Sequence, residues 1–491
     1  MIDIVTVKQM QEFDQMTIKT KTPSIELMNL AAKSIYEECD FSNKKIGIIC
    51  GSGNNGGDGL ALANILIEKG FSPYVYLISK KISNDSQFYL DKLNEKKYEN
   101  IFDISKCNYD FDIIVDCILG TGFKGEVKEN IKDVIVRINN SRAYVISADI
   151  PSGLNGDNGL KTECVKADQT IAIQYYKTGH FLNDGKDCVG KIIAKDIGIE
   201  KTEETYKIIE DKDIVFPKRK NNSSKYSYGR SLIIGGCENF VGAVKIANMG
   251  VSSLRIVAGL NTIAAPRSII PALQASVVES TLYPLDEIDG HIKFNKEQLD
   301  KIMLSVNAIA LGMGMGNNYI ENKKIISHIL ENYSSNVLLD ADAINAFKDD
   351  IDSLCKNKKA SIIITPHIKE MARISGIEEK EIISSPIESA KAVANKIGGI
   401  VLLKGASSII TNGKDVYFVV NGGPELSKGG SGDTLSGVIL GLLAQGFEPI
   451  KAAYMGAFLC AKAAKDLTRD FSEYGVLASD VARNISKYIK E

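Results

Sequence analysis

The sequence predicts a two-domain α/β protein, each domain a mainly parallel sheet with helices on both faces. Three observations lead there. Short runs rich in Ile and Val alternate with segments of helical apolar spacing along most of the chain, and strands separated by helices imply parallel sheets covered on both sides. The alternation breaks once, between Gly198 and Tyr228, and then restarts. Finally, 491 residues that are 44% hydrophobic and 24% charged suit two to four domains of about 150 residues each and an ordinary globular composition. Domains over 1–210 and 211–491 follow.

In the first domain KIGIIC (45–50) reads as a buried strand. It runs into the glycine-rich GSGNNGGDG (51–59), and LALANILIEKG (60–70) then has helical spacing and a glycine stop. YVYLIS (74–79), DIIVDC (112–117) and AYVISA (143–148) are further strands. A right-handed crossover sheet is the default for such a run, with ligand loops at the strand ends. The segment from Gly198 to Tyr228 is charged and polar around KRKNNSSK and reads as a linker with a short leading strand. Its basic cluster, Lys218, Arg219, Lys220 and Lys225, is either a solvated loop or a phosphate contact.

The second domain opens with the strand RSLIIGG (230–236) and the helix VGAVKIANMGVSSL (241–254). NAIALGMGMG (307–316) is a strand and a glycine turn. NVLLDADAINAF (336–347), SIIITPHIKEMARI (361–374) and GIVLLKGASSIITNG (399–413) each read as strand, polar end and helix. The closing region is helical, with GGSGDTLSGVILGLLAQG (429–446) and IKAAYMGAFLCAKAAKDL (450–467) before a last helix. No short repeat marks a solenoid.

Composition excludes several classes. A net charge of −2 gives no electrostatic reason to expect nucleic acid. No basic tract suggests a membrane surface, and the longest apolar stretch, LSGVILGLLAQG (435–446), is too short to span one. The acidic start MIDIVTVKQMQEFD is no signal peptide. Nine scattered cysteines without a CxxC, and four distant histidines, argue against a disulfide framework or a zinc site. A cytoplasmic protein is expected.

Gly51, Gly53 and Gly56 satisfy GxGxxG between a strand and a helix, which alone suggests a dinucleotide fold. A dehydrogenase of the NAD type also wants an acid after the second strand, where Ser79, Lys80 and Lys81 stand. An NADP-binding site could keep the lysines. Asn54, Asn55 and Asp58 fit bare-backbone pyrophosphate binding badly and look placed to hold something. The alternative is a turn-rich connection. DCILGTGFKGEV (116–127) and SADIPSGLNGD (147–157) put Asp116 and Asp149 at further strand ends. Each could be a cap or turn. Together with the first loop they suggest one pocket whose carbonyl, hydroxyl, amide and carboxylate oxygens suit an alkali or alkaline-earth cation.

Taken in order, GSGNNGGDG, DCILGTGFKGEV and ADIPSGLNGD resemble the NAD(P)H-hydrate epimerase domain, over about residues 1–210. The resemblance implies a Rossmann-like three-layer α/β/α fold. It implies that Asn54, Asn55, Gly56, Gly57 and Asp58, with Gly120, Thr121, Gly122, Phe123, Lys124, Gly125 and Glu126, bind the hydrated nicotinamide nucleotide. Asn55, Asp116 and Ser152 are the implied potassium ligands. Asp149 is the implied substrate-contacting carboxylate and acid/base, for inversion at the hydroxyl-bearing C6.

GGSGDTLSGVILG (429–441) is a glycine turn opening a helix, and helix N-termini bind anions. Asp433 inside it is either a base beside a phosphate or a favourable first-turn acid. This segment resembles the ribokinase type of small-molecule kinase. More narrowly, ALGMGMG (310–316), LDADAIN (339–345), TPHIKE (365–370), LLKGASSII (402–410) and GGSGD resemble the ADP-dependent NAD(P)H-hydrate dehydratase domain, over about 223–491. Met313 stands where that family usually has proline. The resemblance implies that Ala243, Gly314, His367 and Asp433 contact the hydrate, with Asp433 the catalytic base. It also implies that Lys404, Gly405, Ala406, Ser407, Ser408 and Gly432 hold ADP, with magnesium at the phosphates. A cytoplasmic, homo-oligomeric repair enzyme is expected, acting on NAD(P)H hydrate and ADP without nucleic acid or membrane partners. A sugar or vitamin kinase fused to a dinucleotide module, and a non-catalytic nucleotide-binding regulator, are the rival readings.

Overall fold

The computed structural model describes residues 1–253, 259–356 and 358–489. The chain separates into two compact units, one over Asp3–Tyr206 and one over Lys207–Glu491 with the first two residues.

The smaller unit is built on seven parallel strands: β1 (Ile46–Cys50), β2 (Tyr74–Leu77), β3 (Ile101–Asp103), β4 (Ile113–Cys117), β5 (Tyr144–Ala148), β6 (Gln169–Ile173) and β7 (Lys191–Lys195). Their order is β3-β2-β1-β4-β5-β6-β7. Strand side chains alternate between faces. Ile48 and Val115 therefore pack with Leu60 and Leu62 on one side, while Ile49 and Ile114 pack with Val134 and Ile138 on the other. The helices on these faces include α1 (Val7–Thr20), α2 (Ser24–Glu38), α3 (Asn54–Glu68), α4 (Asn84–Glu95) and α5 (Glu129–Asn139). Strand order reverses between β1 and β4, so their outgoing loops part and leave a crevice at their C-terminal ends.

One boundary differs from the sequence reading in a way that matters. Helix α3 begins at Asn54, inside the glycine-rich run, rather than at Leu60. The glycines permit this close packing. A Cβ on Gly56 would lie 2.1 Å from the Gly51 carbonyl oxygen, and one on Gly51 would lie 1.8 Å from that of Ile118. NNGGD is thus the first turn of a helix pressed against two strand ends.

The larger unit carries nine adjacent strands: β8 (Arg230–Ile234), β9 (Leu260–Pro266), β10 (Thr281–Leu285), β11 (Ala308–Leu311), β12 (Asn336–Leu339), β13 (Ser361–Ile364), β14 (Ile400–Leu403), β15 (Ser408–Thr411) and β16 (Val416–Val419). They run in the order β10-β9-β8-β11-β12-β13-β14-β15-β16. All are parallel through β14, and β15 then pairs antiparallel with both neighbours. Here the order reverses between β8 and β11. Helix α6 (Val241–Ser253) packs on α8 (Ser431–Ala444), with α7 (Ile368–Ser375), α9 (Pro449–Gly475) and α10 (Ala478–Asn484) among the others. Leu254, the last residue of the helix expected from sequence, lies outside the described residues.

Two further expectations change. GIVLLKGASSII does not lead into a helix: β14 turns back as β15, and Asn412-Gly413 begins the next hairpin turn, with Gly413 at φ +94°. Asn-Gly between apolar runs is a hairpin signal. The expected linker is also shorter. Ile208, Ile209, Ile214 and Phe216 are buried, Lys207 and Ile208 pair with Tyr417 and Phe418, and the Phe216 ring meets Phe447 edge-on at 5.5 Å.

Candidate active sites

In the smaller unit the ends of β1, β4, β5 and β6 surround a cleft of about 530 Å³. Asn54, Asn55 and Asp58 line it from the first turn of α3, Gly120 through Phe123 from the loop after β4, and Asp149 from the end of β5. Lys124, Gly125 and Glu126 stand further along that loop, exposed and off the cleft wall. Gly56 and Gly57 are buried packing positions behind it.

Asp116, at the end of β4, is fully buried. Its carboxylate accepts Ser147 Oγ at 2.8 Å, Ser152 Oγ at 2.5 Å, the Ser152 amide at 2.9 Å and the Ile118 amide at 3.2 Å. Burial raises its carboxyl pKa, against these hydrogen bonds. Ser152 Oγ also accepts the Leu119 amide at 2.8 Å, and the Leu119 carbonyl accepts Asn55 Nδ2 at 3.0 Å. Asn55, Asp116 and Ser152 are thereby gathered around one loop. Asn55 Oδ1 is buried without a hydrogen-bond partner, which ordinarily costs about 1–3 kcal/mol. An orphaned amide oxygen beside a carboxylate and a hydroxyl is a fitting donor set for a hard cation.

Asp149 holds a left-handed backbone at φ +62°. Its carboxylate accepts the Ile173 amide at 2.8 Å and the ammonium of Lys177, which is wholly buried and also donates to the Ile173 carbonyl at 2.8 Å. His180 ties the same segment together. The Lys177 amide donates to its Nδ1 at 3.1 Å, and its Nε2 lies 3.0 Å from the Asp149 carbonyl, so Nε2 carries the proton. Burial holds this imidazole neutral, its pKa pushed down to about 3. Asp14 of α1 also lines the cleft. Burial, and then the Asp149 charge, raise Asp14, and the same causes drive Asp58 well above the carboxylate range. Asp14, Lys177 and His180 escape sequence reasoning; a Lys four places and a His seven places past the apolar IAI run are their only trace.

In the larger unit the predicted residues follow the C-terminal edge of the sheet. Gly314, at φ +66° after β11, packs against Ala243: a Cβ there would sit 3.0 Å from that of Ala243 and 2.7 Å from the Phe240 carbonyl. Lys404, the residue after β14, donates to Asp340 Oδ1 at 2.9 Å, and Ser436 of α8 donates to Asp340 Oδ2 at 2.8 Å. Gly432 faces this pair, its Cβ position 3.4 Å from both Lys404 Nζ and Asp340 Oδ2. His367 bridges to Lys404 and caps α7, Nδ1 accepting the Glu370 amide at 3.2 Å while Glu370 accepts the His367 amide at 2.9 Å. Gly405 and Ala406 form the exposed tip of the β14–β15 turn, with Ser407 buried and Ser408 opening β15.

Asp433 stands in the first turn of α8, after Gly430 in the left-handed region. First-turn amides lack helical acceptors and suit an anion. Burial and the charges of Asp340 and Asp342 push the Asp433 carboxyl up to about 7, with Lys404 opposing. Asp342, which accepts the Gly316 amide at 2.8 Å, is itself raised by burial and by Glu370 and Asp340. Mutual repulsion among these acids fits a divalent cation. Among the described residues no three His, Cys, Asp or Glu side chains converge as ligands.

The larger unit, its strand order reversing beside a glycine-opened helix, has the ribokinase-like fold. A ribokinase-like superfamily protein from Enterococcus faecalis matches with a TM-score of 0.50 at 22% identity, over 59% of this chain and all of that one. Residues 231–487 match the family model described as NAD(P)H-hydrate dehydratase, and 24–179 that of the YjeF-related protein N-terminus. Over its length the chain is similar to two bifunctional NAD(P)H-hydrate repair enzymes. That of Moorella thermoacetica is 30% identical over 97% of this chain and 95% of the relative, and that of Dictyoglomus turgidum 31% identical over 96% and 94%. The chain belongs to the family of bifunctional NAD(P)H-hydrate repair enzymes. No described helix is long and apolar enough to cross a membrane.

Proposed function

We propose that the protein restores hydrated nicotinamide nucleotides, the smaller unit interconverting R and S hydrates of NADH and NADPH and the larger dehydrating the S form with ADP, giving AMP and phosphate. The observation that carries this is the pairing, in one chain, of an acid-lined cleft at one strand-order reversal with a carboxylate beside a phosphate-type helix start at another.

In the larger unit Asp433 takes the proton from the C6 hydroxyl as that oxygen attacks the β-phosphorus of ADP, and AMP leaves. Phosphate then departs from C6 far more readily than hydroxide, C5 gives up a proton, and the C5=C6 ring double bond returns. Ala243, Gly314 and His367 bound the hydrate; Lys404, Gly405, Ala406, Ser407, Ser408 and Gly432 bound the nucleotide. Asp342 and Glu370 are the acids that would hold a magnesium ion there, and it would supply charge neutralisation at the phosphates. In the smaller unit the cleft residues of the NNGGD turn and the loop from Gly120 to Glu126 hold the hydrate, and Asp149 serves as acid/base at C6. Asn55 Oδ1, Asp116 and Ser152 Oγ would hold a potassium ion that fixes the loop beneath the substrate. The protein acts as a cytoplasmic homo-oligomer, which light scattering checks.

The test is direct. Incubated with NADH hydrate and ADP, the protein should regenerate NADH absorbance with stoichiometric AMP. Accumulation of a stable phosphorylated compound would mean a small-molecule kinase instead, and no turnover would mean a regulator.

A further inference from the structure

The epimerase reading leaves the buried ammonium of Lys177 without a task. Four carboxyl groups, on Asp14, Asp58, Asp85 and Asp149, line one cleft together with this single cation. A wholly buried lysine is rare unless paired, and this one is aimed at only one of the four. It reaches the Asp149 carboxylate and the Ile173 carbonyl, while the Ile173 amide holds the same carboxylate oxygen. His180 joins the backbone of Lys177 to that of Asp149. Asp149 sits at positive φ, a conformation that is unfavourable for a non-glycine residue and persists only where its surroundings impose it.

We propose that Lys177 is the positioning residue of the epimerisation: its ammonium holds the Asp149 carboxylate in the orientation that faces C6. This rests on the epimerase reading of the cleft. By the route proposed here inversion breaks the C6–O bond, the hydroxyl leaving as water with a proton from the enzyme while the ring nitrogen's lone pair forms the C=N⁺ bond. Water then adds to the other face and gives its proton back, so nothing is consumed. One group must donate and another accept. Beside a fixed cation Asp149 is the acceptor, and Asp58, whose carboxyl is raised by burial and by Asp149 and Asp14, is the neutral donor. The carboxylates outnumber the ammonium, which suits a cationic intermediate.

A double-mutant cycle on the full-length protein tests this. Asp149→Asn should cut epimerase kcat by two to three orders of magnitude and Lys177→Met about a hundredfold, with KM changed far less. If Lys177 acts through Asp149, the double variant should be no slower than Asp149→Asn alone. Near wild-type epimerisation by Lys177→Met, or losses that multiply, would overturn the proposal. Circular dichroism and thermal unfolding establish that the variants fold. Should Lys177→Met not fold, Lys177→Gln keeps hydrogen bonding, removes the charge and must show the same loss. Dehydration of pure S hydrate by the same chains should be unchanged. If the wild type itself does not interconvert R and S hydrates, the epimerase reading fails, independently of Lys177.

Discussion

Under the proposed mechanism Asp433 combines a catalytic gain with a stability cost. A base is most effective with a pKa near the working pH, and burial beside Asp340 and Asp342 places this one at about 7. Dehydration should therefore rise with pH through about 7 and then level off. The folded state holds this proton more tightly than the unfolded chain, so the contribution to stability falls as pH climbs from the ordinary carboxylate value towards 7, and stays lost above it. Asp433→Asn should lower dehydration by two to four orders of magnitude while leaving ADP binding intact. It should also stabilise the larger unit by roughly 1–3 kcal/mol at pH 8, discounting for partial exposure, and by little near pH 4. Rates and thermal unfolding at the two pH values check both halves. A fully active variant would leave Asp433 a helix cap. Asp116 makes the complementary case in the other unit. Asp116→Ala should weaken epimerisation and abolish its dependence on potassium, with dehydration of S hydrate spared. Unchanged potassium dependence would remove the cation from the site.

At the scale of elements, both sites depend on how closely a helix approaches its neighbour. Helices α6 and α8 meet at glycines: a Cβ on Gly437 would lie 2.0 Å from the Ala247 carbonyl oxygen, and one on Gly250 2.5 Å from that of Thr434. Gly437→Ala must push apart the helices that carry Ala243 and Asp433, and overpacking of this kind costs about 1–3 kcal/mol. Gly242, with nothing near its Cβ position, is the control. Gly242→Ala should be neutral or stabilise by up to about 1 kcal/mol. Urea unfolding separates them, and equal effects would show that the close approach is not what the glycine at 437 permits. The same closeness explains what the sequence conceals. Strands β1, β4, β5 and β8 are legible because they are short apolar runs, and the strand-end motifs because polar residues punctuate them. The start of α3 is not, since glycines that pack a helix look like glycines that form a loop. Nor are Lys177 and His180 legible as site residues, because Asp149 lies 28 and 31 positions away and only the β5–β6 neighbourhood brings them together.

For the molecule as a whole, the question is where one folding unit stops. Polarity alone places a linker between Gly198 and Tyr228, yet the larger unit's apolar cluster includes Ile209, Ile214 and Phe216. The preceding residues add a short parallel pairing to β16. Each such side chain contributes about 1.5–3 kcal/mol when fully buried, and a domain's net stability is only about 5–15 kcal/mol. A fragment starting at 223 loses all three, along with the strand pairing, and exposes the Phe447 ring that Phe216 covers. A fragment starting at 207 keeps them. We therefore propose that 3–206 and 207–491 are the independent units. Fragment 207–491 should unfold cooperatively and retain ADP-dependent dehydration. Fragment 223–491 should be several kcal/mol less stable, or should lose fixed packing and bind a hydrophobic dye while keeping its secondary structure. Calorimetry on the two fragments decides the matter: equal transitions would return the stretch 207–222 to the status of a linker.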